Sequence, residues 1–161
     1  TRVGEGPFPT EVSGATADVL RQLGRPWAEV GATTGRLRRV GWFDAVLARY
    51  AARLNGIDTI VITKLDVLDT LASVKICTGY RQHDTELDHP PANIAILGQV
   101  EPIYEELPGW QQPTSGIRSF DQLPAEAQAY VARLCELTGA RLGMVSVGPG
   151  RDQVMEVTKL F

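Results

Sequence analysis

A helical pattern that passes directly into a short β-branched run most constrains what this chain can fold into. Apolar side chains recur at helical spacing between residues 44 and 54, with Asp44 as the N-cap and Asn55-Gly56 ending the helix. The run TIVIT at residues 59–63 then predicts a strand that is buried on both faces. Because this succession is typical of α/β proteins, we predict an α/β fold.

Further elements fit the same fold. The pattern predicts strands at residues 74–80, 100–104 and 142–147, and a second helix at residues 124–138 that Gly139 closes. The side chains of this helix expected to face the core are Ala127, Val131, Leu134 and Cys135. The first 41 residues are rich in Gly, Thr and Arg and show little periodicity. At least two strands run straight into loops, which is where α/β folds place their ligands.

Length and composition exclude several classes of protein. The 161 residues suit a single unit, and no apolar run approaches the ~18 residues that a membrane helix needs. The net charge of -3 argues against bulk attraction to nucleic acid or to a membrane surface. The N-terminus has no signal-peptide pattern, begins without Met and opens in the middle of a motif, so we expect residues upstream. We expect Cys77 and Cys135 to be buried, reduced thiols of a cytoplasmic protein.

The segment Thr63-Lys64-Leu65-Asp66 carries the most specific chemistry. A carboxylate fixed at the end of a strand accepts two hydrogen bonds from guanine, one from N1–H and one from the 2-amino group, and adenine lacks this pair of donors. The methylene stem of Lys64 is able to lie along the purine face. The alternative is a helix start at which Asp66 or Asp69 caps the following turn. The segment by itself leaves both interpretations open.

A basic cluster precedes the first helix. The nine residues 31–39, GATTGRLRR, combine hydroxyls, glycines and three arginines. Hydroxyls donate to anionic oxygens and guanidinium groups bind them in a bidentate manner, so we predict a local anion site. A solvated basic turn is the structural alternative. Nucleic-acid binding is a further alternative, but the overall charge does not support it.

Two other segments give weaker indications of function. Residues 146–151, SVGPGR, follow a strand and are suited to present backbone groups to a base, although an ordinary hairpin turn is equally compatible. His83 and His89 lie in a polar stretch with three acidic residues. Their spacing matches no metal-ligand pattern, so a solvated loop is favoured over a metal site.

Taken together, these segments resemble adenylosuccinate synthetases along almost the whole chain. The matching stretches follow the order of that family and are Thr1–Glu11, Gly31–Trp42, Thr63–Asp69, Pro102–Trp110 and Ser146–Arg151. Several long matches in one order are far more specific than any one of them. The resemblance implies that the chain is the C-terminal part of a larger mixed or parallel-sheet ligase fold related to P-loop nucleotide-binding proteins.

The resemblance also implies roles for individual residues. The groups implied for GTP are Arg38, Lys64, Leu65, Asp66, Ser146, Val147 and Gly148. The groups implied for aspartate and IMP are Val3, Ala32, Thr33, Thr34, Gly35 and Arg36. Within this second set, the threonine pair would close on aspartate, Val3 would touch the IMP ribose, and Arg36 would face both substrates.

The implied activity is ligation of IMP and L-aspartate, driven by GTP with Mg2+, in a cytoplasmic homodimer. The family's catalytic Asp and His, phosphate loop and Mg2+ ligands lie in its N-terminal part, so we expect no catalytic and no metal-binding residue in this chain. The alternative is a stand-alone guanine-nucleotide-binding module without catalysis.

Overall fold

Seven strands and four α-helices form the part of the chain that the computed structural model describes, residues 1–159. The helices are α1 (Gly14–Arg21), α2 (Ala45–Asn55), α3 (Ile94–Leu97) and α4 (Ala125–Thr138). The strands are β1 (Phe43–Asp44), β2 (Thr59–Ile62), β3 (Ser73–Gln82), β4 (Thr85–Leu87), β5 (Glu101–Pro108), β6 (Arg141–Ser146) and β7 (Val154–Glu156). Short 3-10 helices cover Leu65–Leu68, Phe120–Gln122 and Arg151–Gln153.

The backbone forms two compact units. The first consists of Thr1–Val46 and Lys75–Glu105, and the second of Leu47–Val74 with the described residues from Glu106 onward. In one sheet the strand order is β1-β3-β4, with β5 also paired to β3, and in the other it is β2-β6-β7. Parallel and antiparallel pairs occur in both sheets, which confirms the α/β class as a mixed fold.

The core of the first unit includes a helix that the sequence pattern did not reveal. Helix α1 lies in the N-terminal stretch of low periodicity and buries only Ala17 and Leu20, so its apolar face is too narrow to stand out. Tyr80 is fully buried, and its hydroxyl donates to the Asp44 carboxylate over 2.6 Å. Burial also raises the pKa of the Cys77 thiol to about 12, which keeps this cysteine protonated and unreactive.

The polar stretch around His83 is a β-hairpin and not an open loop. Strands β3 and β4 are antiparallel, with Gln82 opposite Thr85, so His83 and Asp84 form the two-residue turn. His89 lies beyond β4 and its Nδ1 is 2.8 Å from Asp88 Oδ1. Within residues 1–159, no group of three or more His, Cys, Asp and Glu side chains could hold a metal ion.

The second unit contains the second predicted helix, at residues 124–138, and two of the predicted strands. Helix α4 begins after Pro124 and ends at Gly139, which adopts the left-handed conformation expected of a helix-terminating glycine. It packs against β6 and buries the predicted Ala127, Val131 and Leu134, whereas Cys135 is only partly buried. No helix among the described residues is long and apolar enough to cross a membrane.

Strand β2 corrects one expectation. Strands β2 and β6 are parallel, with Thr59 opposite Arg141 and Ile62 opposite Val145. The side chain of Val61 is nevertheless 49% exposed, so the prediction that this strand is buried on both faces is wrong. The reason is its position: β2 is the first strand of the order β2-β6-β7, and α4 packs against β6.

Candidate functional site

The carboxyl ends of β2 and β6 lie at the same edge of their sheet, because the two strands are parallel neighbours. Each end leads into one of the segments predicted to contact guanine. The backbone N–H of Lys64 donates to Ser146 Oγ over 3.1 Å, which joins the two segments directly. Groups 82 residues apart in the chain are thus brought together at the place where α/β folds bind ligands.

The segment after β2 turns sharply into a 3-10 helix. Lys64 has φ 61° and ψ 39°, the left-handed conformation, and Leu65–Leu68 form the helix. Leu65 anchors the turn because its side chain is 1% exposed. Asp66 lies in the first turn and is partly buried, and its carbonyl oxygen accepts from the Asp69 N–H over 3.3 Å. A helical turn therefore does begin here, as the structural alternative supposed, but its N-cap is Lys64 and no side chain caps it. The turn also fixes the backbone of Asp66.

The segment after β6 is the connection of a β-hairpin. Strands β6 and β7 are antiparallel, and residues 147–153 join them, so the hairpin alternative is right about the backbone. Ser146 and Val147 are 7% and 0% exposed, while Gly148 lies so close to the Gln153 side chain that an added Cβ would clash with it. Gln153 Oε1 accepts from the Gly150 N–H over 2.9 Å. The loop is therefore well defined.

The Asp69 carboxylate is occupied by hydrogen bonds from another part of the second unit. Its Oδ1 accepts from Trp110 Nε1 at 2.7 Å and from Thr114 Oγ1 at 2.9 Å, and its Oδ2 accepts from the Thr114 N–H at 2.7 Å. Burial raises the pKa of this carboxyl group, and the three hydrogen bonds oppose that rise. This carboxylate therefore has a different task from that of Asp66.

The basic cluster of the first unit forms a closed, exposed loop. Val30 and Leu37 pair as an isolated bridge, and the Gly31 N–H donates to the Arg36 carbonyl oxygen over 2.8 Å. Residues 32–37 are all exposed at its tip. The Arg36 side chain is 77% exposed and lies 3.4 Å from the Glu5 carboxylate. Such an exposed ion pair is worth at most about 1 kcal/mol, so it leaves Arg36 available to an anion.

Arg38 is much better anchored than Arg36. Its Nη1 donates to Glu29 Oε2 over 3.0 Å, and the Glu29 side chain is only 11% exposed. Arg21 Nε donates to the Arg38 carbonyl oxygen over 2.7 Å. Sequence reasoning missed Glu29, because a single acid before the basic loop follows no recognisable pattern. The Glu29 carboxylate therefore holds one end of the Arg38 guanidinium.

Arg39 ties the N-terminal segment to the basic loop. Its Nε and Nη2 donate to the Glu11 carboxylate at 2.8 and 2.5 Å, its Nη1 donates to the Gly6 carbonyl oxygen, and its guanidinium lies over the Phe8 ring. The backbone of Arg2 pairs with that of Arg39, so Val3, which is 76% exposed, follows directly on this pairing. Both segments implied for aspartate and IMP therefore meet within the first unit.

The Glu11–Arg39 pair should make the stability of this unit depend on acid. The hydrogen bond from Arg39 holds the pKa of Glu11 below its ordinary value of 4.5. Its contribution is therefore complete above pH 4.5 and is lost as the pH falls through the lowered folded pKa. At pH 7, Glu11→Gln should lower the free energy of unfolding by up to about 1 kcal/mol, and the difference from wild type should become smaller at pH 3. Urea unfolding at both pH values measures this.

The matched control is Glu101→Gln, which changes an exposed acid at the start of β5, in the same unit and outside any helix. It should leave the free energy of unfolding almost unchanged at both pH values. An undiminished effect of Glu11→Gln at pH 3 would show that the ion pair is not its cause.

Comparisons with known proteins agree along the whole chain. A family model for adenylosuccinate synthetase matches residues 1–155. The adenylosuccinate synthetase of Thermomicrobium roseum is 56% identical over 155 residues, and that of Trichlorobacter lovleyi is 54% identical over 161 residues. The matches cover 96% and 100% of this chain but 35% and 37% of those proteins. A fully ligated adenylosuccinate synthetase from Plasmodium falciparum has a TM-score of 0.88 at 34% identity, covering 98% of this chain and 37% of its own.

The parallel and antiparallel strand pairs, with α4 packed against β6, define a mixed α/β protein, and two of its loops follow the carboxyl ends of parallel strands. The family match over residues 1–155 and identities above 50% are more specific than the fold. The chain belongs to the adenylosuccinate synthetase family. It spans a little over a third of the length of the curated relatives it matches.

Proposed function

We propose that this chain is the C-terminal portion of an adenylosuccinate synthetase, which ligates IMP and L-aspartate at the expense of GTP. In this proposal the chain supplies guanine recognition, aspartate recognition and part of the IMP site. The observation that carries it is the Lys64–Ser146 hydrogen bond, which joins the two loops implied for guanine at the carboxyl ends of β2 and β6. Membership of the family supports the same activity.

Guanine recognition is assigned to the second unit. The Asp66 carboxylate accepts from guanine N1–H and from the 2-amino group, so adenine nucleotides are rejected. The stem of Lys64 covers one face of the base, while Leu65 holds the turn from within the core. Ser146, Val147 and Gly148 line the opposite side. Two near-rigid walls suit a planar base, because little ordering is needed when the base binds.

Anion recognition is assigned to the first unit. Thr33, Thr34 and Gly35, with Ala32, form the exposed tip that closes on aspartate, and Arg36 binds its carboxylates and IMP. Arg38, oriented by Glu29, contacts GTP. Val3 contacts the IMP ribose. An exposed tip on an anchored base suits a loop that moves when substrate binds.

Mg2+ is not assigned to these residues. No group of metal-binding side chains occurs within residues 1–159, so we propose that the ion is held by the remaining length of the synthetase, together with the phosphate loop and the catalytic base. When bound, Mg2+ supplies charge neutralisation on the transferring phosphoryl group. We further propose that the complete protein is a cytoplasmic homodimer.

Substitution of Arg36 tests this function. In the complete synthetase, Arg36→Leu should raise the aspartate KM by at least about tenfold and lower kcat, since a bidentate clamp both binds and positions the nucleophile. Arg36→Lys should recover little, because an ammonium group does not reproduce the planar fork. Initial rates at varied aspartate concentration measure both effects.

A suitable control is Arg53→Leu, which alters an exposed arginine in the last turn of α2. This variant should keep the aspartate KM of the wild type. An Arg36→Leu enzyme with an unchanged aspartate KM would remove Arg36 from the substrate site.

A further inference from the structure

An irregular segment of the second unit, residues 110–118, contacts both loops that we assign to guanine. It is called the bridging segment below. At one end Trp110 and Thr114 bind Asp69, which closes the turn that carries Asp66. At the other end Ser115 binds Gln153, which organises the loop after β6. Apart from this segment, the direct link between the loops described above is the Lys64–Ser146 hydrogen bond.

The Asp69 end of the link is buried and saturated with donors. Trp110 and Thr114 are 3% and 0% exposed, and between them they give Asp69 three hydrogen bonds of 2.7 to 2.9 Å. Charge-assisted bonds of this length are among the stronger kinds in proteins. The N–H of Gly109 donates to the Ala72 carbonyl oxygen just past the turn, over 2.9 Å. The 3-10 turn is therefore fastened to the bridging segment at Asp69, and the residues that follow the turn are joined to the residue just before that segment.

The Gln153 end uses both atoms of one side-chain amide. Gln153 Nε2 donates to the Ser115 carbonyl oxygen over 3.0 Å, and Oε1 accepts from the Gly150 N–H over 2.9 Å. Its backbone carbonyl accepts from the Val147 N–H over 3.0 Å. Arg118 and Asp152 add an ion pair of 2.9 Å between the same two stretches. The loop that lines one side of the base is thus anchored to the bridging segment through Gln153.

We propose that Asp69 and Gln153 are positioning residues that set the separation of the two guanine-binding loops through the bridging segment. The proposal rests on the guanine site proposed above. A base that donates to Asp66 while it lies against Val147 and Gly148 tolerates little change in their spacing, because hydrogen bonds to N–H groups weaken outside about 2.7 to 3.2 Å. Releasing either end allows the loops to drift without removing any group that touches the nucleotide.

Two isosteric or near-isosteric substitutions release the two ends separately. In Asp69→Asn, an NH2 group replaces one of the two carboxylate oxygens. Whichever oxygen it replaces, this NH2 then faces a hydrogen-bond donor, either the Thr114 N–H or the Trp110 and Thr114 side chains, so at least one hydrogen bond is lost. In Gln153→Leu, both amide bonds are lost while the side-chain volume is nearly kept. The controls are Asp121→Asn and Gln122→Leu, which make the same exchanges in exposed residues of the 3-10 helix Phe120–Gln122.

The measurements are made on the complete synthetase with GTP and with inosine triphosphate, which lacks the 2-amino group. Asp69→Asn and Gln153→Leu should each raise the GTP KM roughly tenfold and leave the aspartate KM within about twofold. They should also reduce the preference for GTP over inosine triphosphate, since that preference depends on the second hydrogen bond to Asp66. Thr114→Ser, which keeps the hydroxyl donor to Asp69, should behave as wild type, and Thr114→Val should not.

If both variants keep the wild-type ratio of kcat/KM for GTP to kcat/KM for inosine triphosphate, the proposal is overturned. It is also overturned if the KM values for GTP and for aspartate rise equally, because that result indicates general destabilisation. Gln153 is only partly buried, so its variant tests the proposal even if Asp69→Asn fails to fold. Asp66→Asn separates the two levels of inference. If it also leaves GTP use intact, the guanine assignment itself is wrong and the positioning role falls with it. If it impairs GTP use while both positioning variants do not, only the positioning role is lost.

Discussion

On its own, this chain should form no measurable adenylosuccinate from IMP, aspartate, GTP and Mg2+. Transfer of a phosphoryl group needs a loop that cradles the phosphates, a metal ion and a base, and each of these stabilises the transition state by several kcal/mol. Residues 1–159 offer no side-chain group for the metal. The two histidines lie in or after the β3–β4 hairpin, in a stretch of sequence that none of the motifs implied for substrates includes. The expected loss of activity is therefore complete.

The same assay includes its positive control. Adding the N-terminal portion of a synthetase, such as that of the 56% identical Thermomicrobium roseum relative, should restore product formation. The isolated chain should bind GTP no more tightly than about millimolar, because the loop that holds the phosphates is proposed to lie in the rest of the synthetase. Adenylosuccinate produced by the chain alone would refute the division of labour proposed above. GTP binding much tighter than this, without activity after complementation, would favour a stand-alone guanine-nucleotide-binding module.

Asp66→Asn should change which nucleotide the complete synthetase uses. Losing a charge-assisted pair of hydrogen bonds in a partly buried site should weaken GTP use by roughly 2 to 4 kcal/mol in kcat/KM. The asparagine amide donates where the carboxylate accepted, so xanthosine triphosphate, which has an oxygen at position 2, should be used better than by wild type. Rates measured with both nucleotides give the two specificity constants.

Asp58→Asn is the control for this exchange. Asp58 directly precedes β2, at the end opposite to Asp66, and its side chain is 82% exposed. It should leave both specificity constants as they are. If Asp66→Asn keeps wild-type kinetics with GTP, Asp66 does not contact guanine.

Strong periodicity and clear end signals made much of the fold predictable from sequence. Helix α4 has an apolar face, Pro124 before it and Gly139 after it, and its bounds were confirmed to within one residue. Helix α1 was not predicted, because it buries only two side chains. The exposure of Val61 could not be predicted, since a β-branched run indicates a strand but does not show whether both faces of that strand are covered by other elements. The treatment of residues 1–161 as a single unit stays a prediction.

The sequence suggested candidate site residues one by one, but it did not reveal the long-range contacts that position them. The roles of Lys64, Asp66, Arg36 and the other implied residues remain predictions, although the junction of Lys64 with Ser146 is what a shared site requires. Glu29 and Gln153 were missed because their partners lie elsewhere in the chain. Asp69 was considered only as a cap for its own turn, whereas its carboxylate binds residues 41 and 45 positions away.

The parallel pairing of β2 with β6 has a consequence for the order of folding. Thr59 meets Arg141, so forming this pair closes a loop of about 80 residues, and such long closures are slow and unfavourable until other contacts form. During synthesis, the turn after β2 emerges from the ribosome long before the strand that completes its surroundings. We therefore expect the edge that joins Lys64 to Ser146 to be among the last parts of this chain to assemble, and a nascent chain that stops before β6 lacks the edge proposed to bind guanine.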